Sequence, residues 1–224
     1  MMDTNTQPLG DTAYRPCPET GEPCRILPLG DSITFGVGEP GGYRVPLFRK
    51  ALAAQKSLTF VGSLADGPED VDGVPFPKNH EGHSGWEIGQ LDELIPAPAL
   101  DPLPDIVLLM AGTNDCAHVN MPDTAPARLG KLLDDITSNN EHVLVVVARP
   151  IPMIYDDKNV CVQNIGAMLP GLVQERVKAG KHLVLVNQYT GFPLTELGDG
   201  LHPNANGYAR MAGVWFDFLG EVLP

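Results

Sequence analysis

The sequence predicts an α/β fold: a three-layer α/β/α sandwich on a five-stranded parallel sheet. Three observations lead there. Five apolar runs rich in β-branched residues recur at 25–30, 58–63, 105–110, 142–147 and 183–187. Each is nearly continuous rather than alternating, the pattern of strands covered on both faces. Between them lie segments with apolar residues at helical spacing, so strands and helices alternate along the chain. A length of 224 residues suits one such domain, and 43% hydrophobic content supplies its core.

Taken in order, residues 1–24 are polar and without periodicity, and read as a flexible lead-in to a single domain over 25–224. The first strand, 25–30, delivers Gly30-Asp31-Ser32 to a turn, and a Gly-rich loop follows from Phe35 to Gly42. Helical spacing over 43–55 tolerates Pro46 only in its first turn. After the second strand, 58–63, the stretch 64–83 is rich in Asp, Gly and Pro and reads as a long loop. Its acids Asp66, Glu69, Asp70 and Asp72 do not match the alternating calcium-loop spacing, so they read as a solvated acidic face. A short helix is predicted over 86–95, then an irregular Pro-rich segment over 96–104.

The third strand, 105–110, runs into Gly112-Thr113-Asn114-Asp115. A helix over 124–137 turns Leu129, Leu132, Leu133 and Ile136 inward. The fourth strand, 142–147, precedes a helix within 159–179 that starts near Asn164, with Pro170 opening or kinking it. The fifth strand, 183–187, leads to Asp199-Gly200-Leu201-His202-Pro203 and a terminal helix over 204–219.

Lys+Arg 15 against Asp+Glu 28 gives a net charge of -13. Such a surface repels polyanions, so neither nucleic acid nor an anionic membrane is expected as a partner. No apolar stretch is long enough to span a bilayer. The first ten residues lack the apolar core of a signal peptide, so the chain reads as cytosolic or as a mature exported form. Cys17 and Cys24 flank a turn-rich loop that could close into a small ring, and Cys116 and Cys161 could meet in the fold. A disulfide points to a secreted or periplasmic protein; the alternative is four separate thiols. Cys and His spacing does not suggest a metal, and none is expected at the site, His80 and His83 included.

Ser32 stands where a strand's carboxyl end presents side chains to a ligand. As a nucleophile it would need a base in hydrogen-bond reach and donors for an oxyanion. The plainer reading of Gly30-Asp31-Ser32 is a helix or turn cap. Asp199 and His202, three apart across a turn, could pair so that the carboxylate orients the imidazole; a surface histidine before a helix is the alternative. Asn114 could donate its amide to an oxyanion or cap a helix, and Gly85 could offer a bare backbone N–H or be a simple turn glycine. No G-x-S-x-G nucleophile elbow is present.

The four blocks Gly30-Asp31-Ser32, Gly85, Gly112-Thr113-Asn114-Asp115 and Asp199-Gly200-Leu201-His202-Pro203, in this order, resemble those of the SGNH (GDSL-type) hydrolases. Gly41-Gly42-Tyr43-Arg44, Phe60-Val61-Gly62-Ser63 and His80-Glu81-Gly82-His83-Ser84-Gly85-Trp86 look more narrowly like carbohydrate esterase family three, which includes acetylxylan esterases. The resemblance implies a flavodoxin-like SGNH fold and a cofactor-free serine esterase. Ser32 would be the nucleophile, His202 the base and Asp199 its orienter. Ser32, Gly85 and Asn114 would form the oxyanion hole. It further implies removal of acetyl or other short acyl groups from carbohydrate esters such as acetylated xylan, or from another small ester. Tyr43, Arg44, His83 and Trp86 are candidate pocket-lining residues. A broad short-chain carboxylesterase or thioesterase, and a non-catalytic carbohydrate-binding protein, are the competing readings.

Overall fold

A computed structural model describes residues 8–19, 21–117 and 124–224. Its strands are β1 (Leu9–Gly10), β2 (Cys24–Gly30), β3 (Leu58–Phe60), β4 (Leu64–Ala65), β5 (Asp70–Val71), β6 (Val74–Pro75), β7 (Asn79–Gly82), β8 (Ile106–Met110), β9 (Leu144–Arg149) and β10 (Leu183–Asn187). Its helices are α1 (Ser32–Phe35), α2 (Arg44–Ala53), α3 (Ile88–Asp92), α4 (Thr113–Ala117), α5 (Ala125–Asn139), α6 (Asp156–Lys178) and α7 (Ala205–Val222).

The five expected strands form the heart of the sheet, all parallel, in the order β3-β2-β8-β9-β10. Their side chains alternate between two cores. Ile106, Leu108 and Met110 of β8 face Tyr208, Met211 and Trp215 of α7 and Leu47 and Ala51 of α2. Val107 and Leu109 face Leu129, Leu132 and Ile136 of α5 and Ile165 and Leu169 of α6. This burial on both faces is why the strands read as unbroken apolar runs.

The sheet is larger than expected and mixed. β1 adds antiparallel to β10, β7 adds parallel to β2, and β4 adds antiparallel to β7, making eight strands. β3 and β7 share one edge of β2. β3 pairs with Cys24, Arg25 and Ile26, and β7 takes over at Leu29 and Gly30. The exchange happens at Gly62, whose φ is +138° and where a Cβ would lie 2.5 Å from the His80 carbonyl. Only glycine lets β7 cross there.

The stretch read as a loop over 64–83 therefore holds four short strands. Its acids are engaged by the protein. The Asp66 carboxylate accepts the Gly41 N–H, Glu69 pairs with Lys78, Asp70 accepts the Gly73 N–H, and Asp72 pairs with Arg49.

Part of the expected lead-in is attached to the domain. Beyond the β1 pairing, Tyr14 stacks on His182 at 3.5 Å and donates its hydroxyl proton to the His142 carbonyl at 3.0 Å. A Cys17–Cys24 disulfide closes the turn before β2. The helix within 159–179 begins earlier than Asn164, at Asp156, and Pro170 lies inside it.

A second disulfide, Cys116–Cys161, joins α4 to α6 across 45 residues. Closing a loop of that length restricts the unfolded chain by about 2–4 kcal/mol. Replacing both cysteines with serine should lower stability by that amount in urea melts, a fall of roughly 5–15 °C in melting temperature. An unchanged melt would show that the link carries no stability.

Candidate active site

The register of the sheet assembles most of the site. Gly30 pairs with Met110 on one side and with Gly82 on the other. The chain beyond β2, β8 and β7 thus emerges side by side, at the switch point where connections leave β2 in opposite directions. Ser32 follows the central strand, Asn114 one neighbour, and His83 to Trp86 the other.

Asp31 caps α1, accepting the Ile33 N–H at 2.9 Å. The cap is therefore Asp31, which fixes the turn, and Ser32 opens the helix. Burial raises the Asp31 carboxyl to about 6, although the Ile33 N–H, Thr113 and His202 oppose the rise.

His202 arrives from the far end of the chain. A bridge between Leu197 and Pro203, with the Gly198 N–H donating to the His202 carbonyl at 2.7 Å, pinches 198–202 into a tight loop. The Asp199 carboxylate accepts the backbone N–H groups of Leu201 and His202 at 2.9 and 2.7 Å through Oδ1. Its Oδ2 lies 2.7 Å from His202 Nδ1. His202 Nε2 in turn lies 2.8 Å from Ser32 Oγ, 170 residues away in sequence. An ionised Asp199 can only accept, so Nδ1 carries the proton and the Nε2 lone pair faces the serine hydroxyl. Desolvation pushes the Asp199 carboxyl up. The hydrogen bonds from His202 and Leu201 together outweigh it and hold the group down at about 2.

The loop is braced from outside. The Ile154 N–H donates to the Gly200 carbonyl at 3.0 Å and the Ile154 side chain lies against Gly200. Asn204 caps α7 directly behind His202, accepting the Asn206 and Gly207 N–H groups.

Three candidate donors lie in the segments that follow β2, β8 and β7. The Ser32 N–H is the first of α1 and has no intrahelical acceptor. Asn114 donates one amide proton to the Trp86 carbonyl at 2.9 Å, which fixes the plane of its amide and leaves the other proton available. Gly85 occupies a four-residue turn closed by the Trp86 N–H donating to the His83 carbonyl at 3.2 Å. Its φ of +81° suits the third position of a type II turn, and nothing crowds its Cα. Next to Asn114, Asp115 accepts the Ile88 N–H and the Arg128 guanidinium, a structural tie between α3, α4 and α5.

A groove of about 260 Å³ is lined by Val37, Gly38, Glu39, Asp199, His202 and neighbours. A larger cavity of about 590 Å³, between β1, β10 and α7, holds none of the residues just described.

This chain belongs to the GDSL-like Lipase/Acylhydrolase family. The family model matches residues 29–210. Membership makes the domain a carboxylic ester hydrolase in class. It superposes on a family 3 carbohydrate esterase from Clostridium thermocellum with a TM-score of 0.77 and 32% identity, covering 90% of this chain and 97% of that one. An acetyl esterase mutant solved with an acetate ion gives a TM-score of 0.75 at 28% identity, covering 88% of this chain and 97% of that one. In sequence, the chain is 29% identical over 227 residues to a multidomain esterase of Ruminococcus flavefaciens, 89% of this chain and 29% of that protein's length. The chain thus spans less than a third of that relative.

The pocket-lining candidates divide. His83 and Trp86 are partly exposed beside the site and stack on each other, with centroids 4.2 Å apart. Tyr43 and Arg44 are fully buried and cannot touch a substrate. The Tyr43 ring packs against Trp215, and its hydroxyl sits 3.4 Å from Thr34 Oγ1. The Arg44 guanidinium donates to the carbonyls of Asp66, Lys78 and Phe35, pinning the 66–78 segment to the end of α1; burial lowers its pKa to about 10. The expectation for these two residues is corrected: they support α1 from behind. Sequence reasoning passed over Glu81 and Ile154. The first stands inside the motif His80-Glu81-Gly82-His83-Ser84-Gly85-Trp86 but had no role assigned, and the second meets the Asp199 loop only through the fold.

Proposed function

We propose that the domain is a serine esterase that removes acetyl or other short acyl groups from carbohydrate esters such as acetylated xylan. The observation that carries this reading is the unbroken chain Asp199–His202–Ser32, with contacts of 2.7 and 2.8 Å. The likeness to a family 3 carbohydrate esterase and to an acetyl esterase supports the choice of acyl group and substrate class.

In this mechanism His202 Nε2 takes the Ser32 hydroxyl proton as Oγ bonds to the ester carbonyl carbon. The carbonyl π electrons move to oxygen. The oxyanion receives hydrogen bonds from the Ser32 N–H, the Gly85 N–H and the free Asn114 amide proton. Collapse expels the sugar oxygen, which takes the proton from His202. Water then attacks the acyl-Ser32 carbonyl, giving its proton to His202, and the second collapse returns Ser32 and releases the carboxylic acid. Throughout, Asp199 accepts the Nδ1 proton and stabilises the transient imidazolium.

Export is part of the proposal, since two disulfides suit an oxidising compartment. Among the described residues no helix is long and apolar enough to cross a membrane.

The test is acetate release from acetylated xylan, acetylated pectin, acetylated chitin oligomers and p-nitrophenyl esters of increasing acyl length. The proposal expects acetate from acetylated xylan and a steep fall in kcat/KM beyond short acyl groups. Turnover of aryl or thioester substrates with no release from any acetylated carbohydrate would favour a broad short-chain esterase or thioesterase. No turnover of any ester would favour a binding protein.

A further inference from the structure

A second carboxylate–imidazole pair lies next to the triad, and nothing in the mechanism above uses it. Glu81, on β7, is fully buried. Its carboxylate accepts the Ser63 N–H through Oε1, and its Oε2 lies 2.7 Å from His83 Nε2. Burial pushes this carboxyl up, but the hydrogen bonds from His83 and Ser63 more than compensate and hold it below its ordinary value. Glu81 is therefore ionised and accepts only, so His83 donates from Nε2.

His83 is the first residue of the turn that carries Gly85. Its backbone N–H donates to the Gly30 carbonyl at 2.9 Å, two residues before Ser32. Its carbonyl accepts the Trp86 N–H that closes the turn, and its ring stacks on Trp86 with the planes 23° apart. The Trp86 carbonyl is the acceptor that orients the Asn114 amide. One four-residue turn thus touches the chain beside Ser32, contains Gly85, and holds Asn114. The His83 ring is held by Glu81 at Nε2 and by the Trp86 ring on its face.

We propose that Glu81 and His83 are positioning residues that hold the oxyanion-hole turn, setting where the Gly85 N–H and the Asn114 amide point. The inference rests on the esterase reading above. It assigns the pair no proton transfer. A buried carboxylate is suited to this work because a charge-assisted hydrogen bond is short and directional. A donor displaced by about 1 Å can cost on the order of 10²-fold in rate.

The experiment measures kcat and KM for p-nitrophenyl acetate and Ki for phenylboronic acid, which forms a tetrahedral adduct on a serine oxygen. Wild type, His83→Ala and His83→Gln are compared, with circular dichroism melts on each. His83→Ala is expected to lose about 10- to 100-fold in kcat, with KM within about threefold and Ki raised in proportion to the loss. His83→Gln places an amide N–H where Nε2–H stood, and should recover most of the loss. Should His83→Ala not melt cooperatively, Glu81→Gln carries the same test with the same direction expected in kcat.

Unchanged kcat in these variants would overturn the inference. So would a rise in KM at constant kcat, which marks a substrate contact, or a kcat loss with unchanged Ki. Failure of the esterase reading itself is separable, because then wild type would turn over no ester, or Ser32→Ala would keep wild-type activity, whatever the His83 variants do.

Discussion

Ser32→Ala is expected to remove turnover of p-nitrophenyl acetate, with a loss on the order of 10⁶-fold in kcat, the scale for deleting a triad nucleophile. The physical reason is specific. Among the described residues, the only side-chain partner of Ser32 Oγ is His202 Nε2, at 2.8 Å. Without the hydroxyl, the His202 Nε2 lone pair has no side-chain nucleophile to activate. The fold should be indifferent to the change. Alanine is an excellent helix former at the first position of α1, and Asp31 still caps that helix through the Ile33 N–H. Stability should move by no more than about 1 kcal/mol, the net worth of one hydrogen bond. Steady-state kinetics paired with a thermal melt separates the two effects. Residual activity near wild type would remove Ser32 from the mechanism.

Asn114→Ala should cost about 10²–10³-fold in kcat with little change in KM, because the amide donates to charge that exists only in the transition state. Two effects add here. The oxyanion loses its side-chain donor, and the Trp86 carbonyl loses the N–H that Asn114 supplies at 2.9 Å. Asn114→Asp distinguishes donation from shape. It keeps the size of the side chain but replaces the NH₂ with an acceptor of the same charge as the oxyanion, so it should be at least as damaging. An aspartate variant with substantial activity would mean that Asn114 only packs the turn. Both variants need kcat and KM measured separately, since a loss confined to KM would place Asn114 on the ground-state substrate instead.

How much of this was legible in the sequence follows from the kind of burial involved. β2, β8, β9 and β10 were legible because their burial is hydrophobic, as in the run Ile106-Val107-Leu108-Leu109-Met110, wholly inside. β7 was not, because its buried residues are His80 and Glu81. Both are tolerated inside through local hydrogen bonds: His80 Nδ1 accepts the Gly82 N–H at 2.9 Å, and Glu81 accepts from Ser63 and His83. A pattern read by hydrophobicity sees polar residues there and returns a loop. β1 is two residues long and becomes a strand only by pairing with Val184 and Leu185.

The site shows the same division. The blocks around Ser32, Asn114 and His202 fall at strand ends and before α7, positions that follow from the alternation of elements. Gly85 is legible as a turn glycine, but what holds the turn is not. Tyr43 and Arg44 are expected at the pocket because they stand in the stretch Gly41-Gly42-Tyr43-Arg44, which resembles carbohydrate esterase family three. In the fold, however, the Arg44 guanidinium donates to three carbonyls and turns inward. An arginine bound to internal carbonyls cannot be told from a surface one without its partners.

The most direct test of the central claim is covalent. A fluorophosphonate reacts with a serine only when a base activates it beside an oxyanion hole, so labelling reports the assembled site rather than any one residue. The account predicts one adduct per chain, mapped by peptide mass to Ser32, lost in Ser32→Ala and strongly slowed in His202→Ala. An active enzyme that takes no label, or takes it on a serine other than Ser32, would contradict it.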